Sequence, residues 1–264
     1  MRRGMSHLLL GLLALLLATA VVPGAAFAEA GPFWHHRAVG GEGAGLKIEE
    51  KSPENFSGEG GEQIFISKIA GTEIEVTSKS VQAKGILYNN ALQGQFKMLL
   101  KGHEPKLVRP ALKGCEVKVG ENNEIKTEGH LAWKWNGEAK QLEEQPQALQ
   151  KPSGVVTPGP IEAGATKLPE GSFATVAFKG AGCGVLVGTF KVNGSASALP
   201  KPANLEEWST TLAIAFPGWE KLHFWNGKAF IGTSVGLTLG GSPATIKGSA
   251  TSKAAVQEVA AFEK

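Results

Sequence analysis

Between residues 60 and 250 the chain almost never repeats its apolar residues at helical spacing. Short alternating runs of apolar and polar residues recur instead, each bounded by Gly, Pro or Asn. Alternation with a period of two places successive side chains on opposite faces, so such a chain buries one face of each run as a strand. Runs of this kind are Gln63–Ile69, Thr72–Thr77, Gln95–Lys101, Cys115–Val119 and Ile125–Trp135. Later ones are Phe173–Phe178, Gly184–Val192, Trp208–Phe216, Lys221–Trp225, Lys228–Leu239 and Ala244–Thr251. Asn136-Gly137, Asn193-Gly194 and Asn226-Gly227 fall between runs. Asn-Gly accepts the positive φ angles of a type I′ turn with little strain, so these three dipeptides predict hairpins. The expected fold is all-β: an antiparallel two-sheet sandwich, with a closed barrel or two small β subdomains as alternatives.

The expected organisation has five parts. Residues 1–28 have a basic start at Arg2 and Arg3, an apolar run from Leu8 to Val22, and a small-x-small exit at Ala26-Phe27-Ala28. That is the layout of a secretory signal peptide. The apolar run is shorter than the roughly 20 residues that span hydrocarbon, and Pro23-Gly24 follows it where a stop-transfer sequence would be basic. No transmembrane segment is expected once it is cleaved. Residues 29–60, Gly-rich between Gly31 and Gly45, predict an irregular N-terminal strap. Residues 61–252 hold the β domain, interrupted at 141–171 by a connection carrying Pro146, Pro152, Pro158, Pro160 and Pro169. Residues 253–264 form a tail in which Ala254–Phe262 has a weak helical pattern.

A secreted chain with only Cys115 and Cys183 pairs them most simply in one disulfide. The bridge closes a loop of roughly 70 residues, which the chain-entropy model values at about 4 kcal/mol. It is expected to tie two strands across the sandwich.

Composition removes several chemistries. The chain has 24 acidic residues, all Glu, so aspartyl dyads, Asp-based calcium loops and Ser-His-Asp triads have no acid to use. Loss of Arg2 and Arg3 with the signal peptide leaves Lys plus Arg about level with Glu, so no basic field exists for nucleic acid. Gly232-Thr233-Ser234-Val235-Gly236 matches the serine nucleophile string, but that elbow requires a helix next. Here Leu237-Thr238-Leu239-Gly240-Gly241 continues as strand and turn. His35 and His36 are adjacent on an extended segment and point to opposite sides, so they do not chelate one ion. No metal site and no cofactor are expected. The Glu pairs at 49–50, 143–144 and 206–207 read as solvated loop charge.

The one surface with a ligand-binding pattern is Trp219–Trp225. As a strand it places Leu222 and Phe224 on one face and Trp219, Lys221, His223 and Trp225 on the other. Two indoles beside an ammonium and an imidazole suit a sugar ring or a protein partner. The competing account buries both faces between sheets, or assigns Trp219 to the Pro217-Gly218 turn.

The order Gly71-Thr72-Glu73-Ile74-Glu75-Val76-Thr77, Gly114-Cys115-Glu116-Val117, Ile125-Lys126-Thr127-Glu128-Gly129-His130-Leu131 and Gly182-Cys183-Gly184-Val185 resembles a group of uncharacterised secreted bacterial proteins, β-rich and with two cysteine-bearing strands. The resemblance implies a secreted all-β protein with a bridge and brings no activity or site residue. The functional expectation is a secreted or envelope-associated non-enzymatic binding or structural protein, meeting cell-envelope carbohydrate or a protein partner. The alternative is a secreted Glu-dependent carbohydrate hydrolase, which would need two Glu across a cleft.

Overall fold

The computed structural model describes residues 32–42, 45–134, 152–200, 209–215 and 220–262. Residues 1–28, where a signal peptide is expected, and Trp135, Asn136-Gly137 and Trp219 lie outside the described residues. Eighteen strands follow in chain order: β1 (Pro32–Arg37), β2 (Leu46–Lys47), β3 (Glu54–Gly60), β4 (Gln63–Ile69), β5 (Thr72–Ser78) and β6 (Ser80–Asn89). Then come β7 (Gly94–His103), β8 (Lys106–Arg109), β9 (Glu116–Val119), β10 (Glu124–Lys134), β11 (Pro152–Thr157) and β12 (Ser172–Lys179). A 3-10 turn at Ala181–Leu186 precedes β13 (Gly188–Pro200), β14 (Ser209–Ala215), β15 (Glu220–Trp225), β16 (Phe230–Leu239), β17 (Ser242–Lys247) and β18 (Ser249–Phe262). All the pairings among them are antiparallel, as the alternating sequence requires.

Hydrogen-bonded neighbours trace two sheets. One runs β14–β18–β3–β6–β7–β10–β11. The other runs β9–β12–β13–β16–β17–β4–β5–β8. They join through β13, whose Val192–Ser195 stretch pairs β16 while Ala196–Ala198 pairs β11, and through β15, which pairs the end of β10 and also β16. The main core is filled from both: Leu87, Phe96, Leu131 and Val156 from the first, and Ile74, Val117, Phe178 and Leu239 from the second. Cys115, Val117 and Val119 all belong to this core, as their alternation predicts.

A second, smaller core lies on the opposite face of β10 and β11. Ala132 and Val155 point into it, against Leu222 and Phe224 of β15 and Val235 of β16. Ile161 and Leu168, from the segment after β11, close it. β11 and the end of β10 from His130 to Ala132 are therefore buried on both faces, which is why Leu131 and Ala132, adjacent in sequence, are each 0% exposed.

Several expectations change. The bridge forms between Cys115 and Cys183 with Cα atoms 4.6 Å apart, within the reach of about 7 Å. It does not cross between sheets. Cys115 leads into β9 and Cys183 follows β12, and these are neighbours in one sheet, with Glu116 opposite Lys179. The N-terminal strap is strand in large part. β1 pairs the end of β18, Pro32 opposite Phe262 and Arg37 opposite Gln257, and β3 lies between β18 and β6. Asn89 fixes β1: its Oδ1 accepts from Trp34 N at 2.7 Å, and its Nδ2 donates to Trp34 O at 2.8 Å and Ile48 O at 2.6 Å. The C-terminal segment is the extended β18, because partners on both sides satisfy its backbone and override the helix propensity of its alanines. The proline-rich connection also contains a strand. β11 opens on Pro152, a position where a missing N–H is tolerated.

Of the Asn-Gly pairs, Asn226-Gly227 connects β15 to β16 in a hairpin, though through four residues and not two. Asn226 Oδ1 accepts from the N–H groups of Lys228 at 3.0 Å and Ala229 at 2.9 Å. Asn193-Gly194 makes no turn. It sits inside β13 where that strand changes partners, and Gly194 takes φ 106° there.

Candidate functional site

A buried polar row crosses the first sheet at the edge of the smaller core. In register, Gln95 of β7 faces His130 of β10, His130 faces Val155 of β11, and Val155 faces Ser197 of β13. His130 is 0% exposed, and its Nε2 lies 3.0 Å from Thr157 Oγ1. The Thr157 hydroxyl donates to Gly159 O at 2.7 Å. Its proton is thus committed, and the network assigns the imidazole proton to Nε2, donating to Thr157. His130 Nδ1 has no hydrogen-bond partner among the described residues. Burial lowers the His130 pKa to about 4, against a smaller upward pull from the Gly159 carbonyl. The ring is neutral at ordinary pH, sealed from solvent, and positioned to hold the turn after β11 more than to meet a substrate. Burial raises the Tyr88 phenol nearby to about 12, with Glu128 and Glu50 acting in the same direction.

The proposed aromatic platform does not survive as an open face. Lys221 is exposed, but His223 is 1% and Trp225 8% exposed. From Leu222 to Trp225 both faces of β15 are covered. Leu222 and Phe224 fill the smaller core, while Trp225 packs on Phe230 across the hairpin, ring centroids 5.1 Å apart. His223 lies over Gly232, where a Cβ would come within 3.1 Å of its Nε2. Burial lowers the His223 pKa. Asn226 ties this hairpin to the covering segment by donating from Nδ2 to Ala165 O at 3.0 Å. Over Leu222–Trp225 the burial matches the competing account in the sequence, in which both faces are covered.

Ser234 occupies the middle of β16, an extended strand with no helix after it, so the Gly232–Gly236 string is not a nucleophile elbow. His36 Nδ1 is 2.6 Å from Glu54 Oε1, a contact between β1 and β3. No group of three or more metal-ligating side chains occurs among the described residues.

The surface feature that sequence reading missed is an open groove of about 700 Å³ over β3, β6 and β18. Asn55, Phe56 and Ser57 supply its centre, Lys84, Gly85 and Ile86 one wall, and Lys253, Ala254 and Ala255 the other. Ser57 faces Lys84 on one side and Lys253 on the other. Phe56 lies opposite Gly85 with its ring over the glycine, where any Cβ would collide with it and with Lys97 O. The signal was present in Ser80-Val81-Gln82-Ala83-Lys84-Gly85-Ile86-Leu87, which alternates, but its inward positions include Ala and Gly and the pattern is faint.

Comparison with protein-family models, with curated proteins and with solved structures gives no match. The functional reading therefore rests on this chain's own residues.

Proposed function

We propose that this is a secreted or envelope-associated, non-enzymatic binding or structural protein. The address comes from the signal-peptide layout of residues 1–28. The disulfide is compatible with an extracellular setting, and no helix among the described residues is long and apolar enough to cross a membrane. The observation that carries the reading is the make-up of the groove over β3, β6 and β18. It is open and shallow, and its charged groups are Lys84 and Lys253, with no carboxylate lining it. Glu-dependent hydrolysis needs two carboxyl groups facing each other across a cleft, about 5 to 10 Å apart. A lysine-flanked, partly apolar trough instead suits holding a ligand.

The test is a thermal-shift screen of the protein against neutral and acidic polysaccharides, wall sugars and lipids, paired with a reducing-end assay on the same polysaccharides. A ligand at about 100 times its Kd adds about 2.7 kcal/mol to the native state and raises Tm. A raised Tm with no reducing ends released supports binding without turnover. Release of reducing ends that a Glu→Gln substitution abolishes would replace this reading with the hydrolase.

A further inference from the structure

Beyond the groove, the same solvent-facing side of the first sheet carries one continuous cross-strand row. Lys253 of β18 faces Ser57 of β3, Ser57 faces Lys84 of β6, Lys84 faces Leu99 of β7, and Leu99 faces Lys126 of β10. Residues directly opposite in antiparallel strands share a face. Lys84, Lys126 and Lys253 are exposed, and none forms an ion pair among the described residues. In the next row along, Asn55 faces Ile86, Ile86 faces Lys97 and Lys97 faces Glu128. Glu124, one row to the other side, is engaged by Lys101 at 3.1 Å.

Strands lie 4.7–4.9 Å apart, so ammonium groups on every second strand recur at about 10 Å and the row spans about 20 Å. Uncharged residues separate the lysines, which keeps like charges from standing directly opposite one another. The chain's charge is close to balanced, yet three cations with no ion pair among the described residues are collected along one line of one face.

We propose that this row is a track for an extended, carboxylate-bearing polysaccharide, a uronic acid polymer. This deepens, and rests on, the non-enzymatic binding reading above. The groove at one end of the track is open, which fits a polymer better than an enclosed small molecule. Its ammonium spacing is close to the length of a disaccharide unit in an extended glycan. Between the cations, Ser57 offers a hydroxyl, and Leu99 and Ile86 offer apolar contact to sugar rings. Lysines present point charges and lack the bidentate fork by which Arg favours phosphate. Dense phosphate neutralisation of a nucleic acid has no counterpart here.

The experiment measures binding of the protein to polygalacturonate, dextran and polyphosphate by affinity electrophoresis and calorimetry. The triple variant Lys84→Gln, Lys126→Gln, Lys253→Gln is compared with a control triple, Lys68→Gln, Lys118→Gln, Lys191→Gln, whose lysines are exposed on the other sheet. Equal thermal melts of the two variants establish that both are folded. The track predicts that polygalacturonate binds, that the row variant weakens it at least tenfold, that the control does not, and that raising salt weakens it further. Polygalacturonate binding that the row variant leaves unchanged overturns the track. Polyphosphate bound as well as polygalacturonate, with the same loss, overturns the carboxylate assignment. Dextran binding retained by the row variant overturns the track while leaving the general binding reading standing. No binding to any of the three polymers overturns the track, and a flat thermal-shift screen beside it sinks both readings.

Discussion

His130 makes part of the protein's stability conditional on pH, because its native pocket accommodates only the neutral ring. The free imidazole has a pKa of 6.5, and burial lowers it to about 4 in the native state. Above 6.5 the ring is neutral in both states and burial carries no protonation cost. As pH falls from 6.5 to 4, the unfolded chain takes up a proton that the native chain refuses, so stability falls with pH across that window. The shift corresponds to about 3 kcal/mol lost by pH 4. His130→Gln removes this titration, and its stability should fall less steeply across the same window. Urea titrations at pH 7, 5.5 and 4 should show the difference between wild type and variant shrinking by about 3 kcal/mol. Equal slopes would mean that His130 is reached by solvent in the native state. At this scale the sequence was informative about faces and silent about partners. Leu131 was legible as core from alternation. That His130, its neighbour, would be fully buried against Thr157 depends on a segment 27 residues away and on cover from Ile161 and Leu168.

Among the elements, the strands that sequence reading found are those whose inward positions are large and apolar. β4, β5, β10 and β15 carry Ile, Val, Leu and Phe on one face. β3 and β6 were missed because their inward row is Phe56-x-Gly58-x-Gly60 and Ala83-x-Gly85, small residues leaving room for rings from neighbouring strands. β10 has the same device: Phe96 of β7 faces Gly129, and its ring occupies the space a Cβ would need. Gly129→Ala should therefore destabilise by about 1–3 kcal/mol, the usual range for overpacking. Phe96→Ala in the same chain should relieve part of the collision, so the double variant should be more stable than the sum of the single effects predicts. Strict additivity in denaturant melts would contradict the ring-over-glycine contact. β18 reads in sequence as a tail with a weak helical pattern for a related reason: Ala-rich composition favours helix locally, and only the waiting edges of β3, β14 and β1 decide otherwise.

For the whole molecule, the disulfide was the most legible long-range contact, since two cysteines in an oxidising setting have one simple solution. Its placement was not legible, because nothing local says that β9 and β12 are neighbours in one sheet. The bridge joins residues 68 apart in sequence, and the intervening chain holds β10, β11 and the cover of the smaller core. Replacing both cysteines by Ser should cost about 4 kcal/mol, the loop-closure value for a loop of this length. A guanidinium melt of the double Ser variant against wild type measures it, and added reductant should lower the wild-type midpoint and leave the variant's unchanged. A variant as stable as wild type would mean that the unfolded chain is already held compact by other means.

The place of β18 in the ladder also sets an order of events. All its partners, β1, β3 and β14, precede it in the chain, and Pro32 meets Phe262. A chain emerging from a ribosome or a translocation channel therefore presents the backbone edges of β1 and β3 long before the strand that covers them arrives. Until then those edges can pair with other chains. Completion of the sheet must wait for the last strand, and a product cut short before Ser249 would carry those edges uncovered.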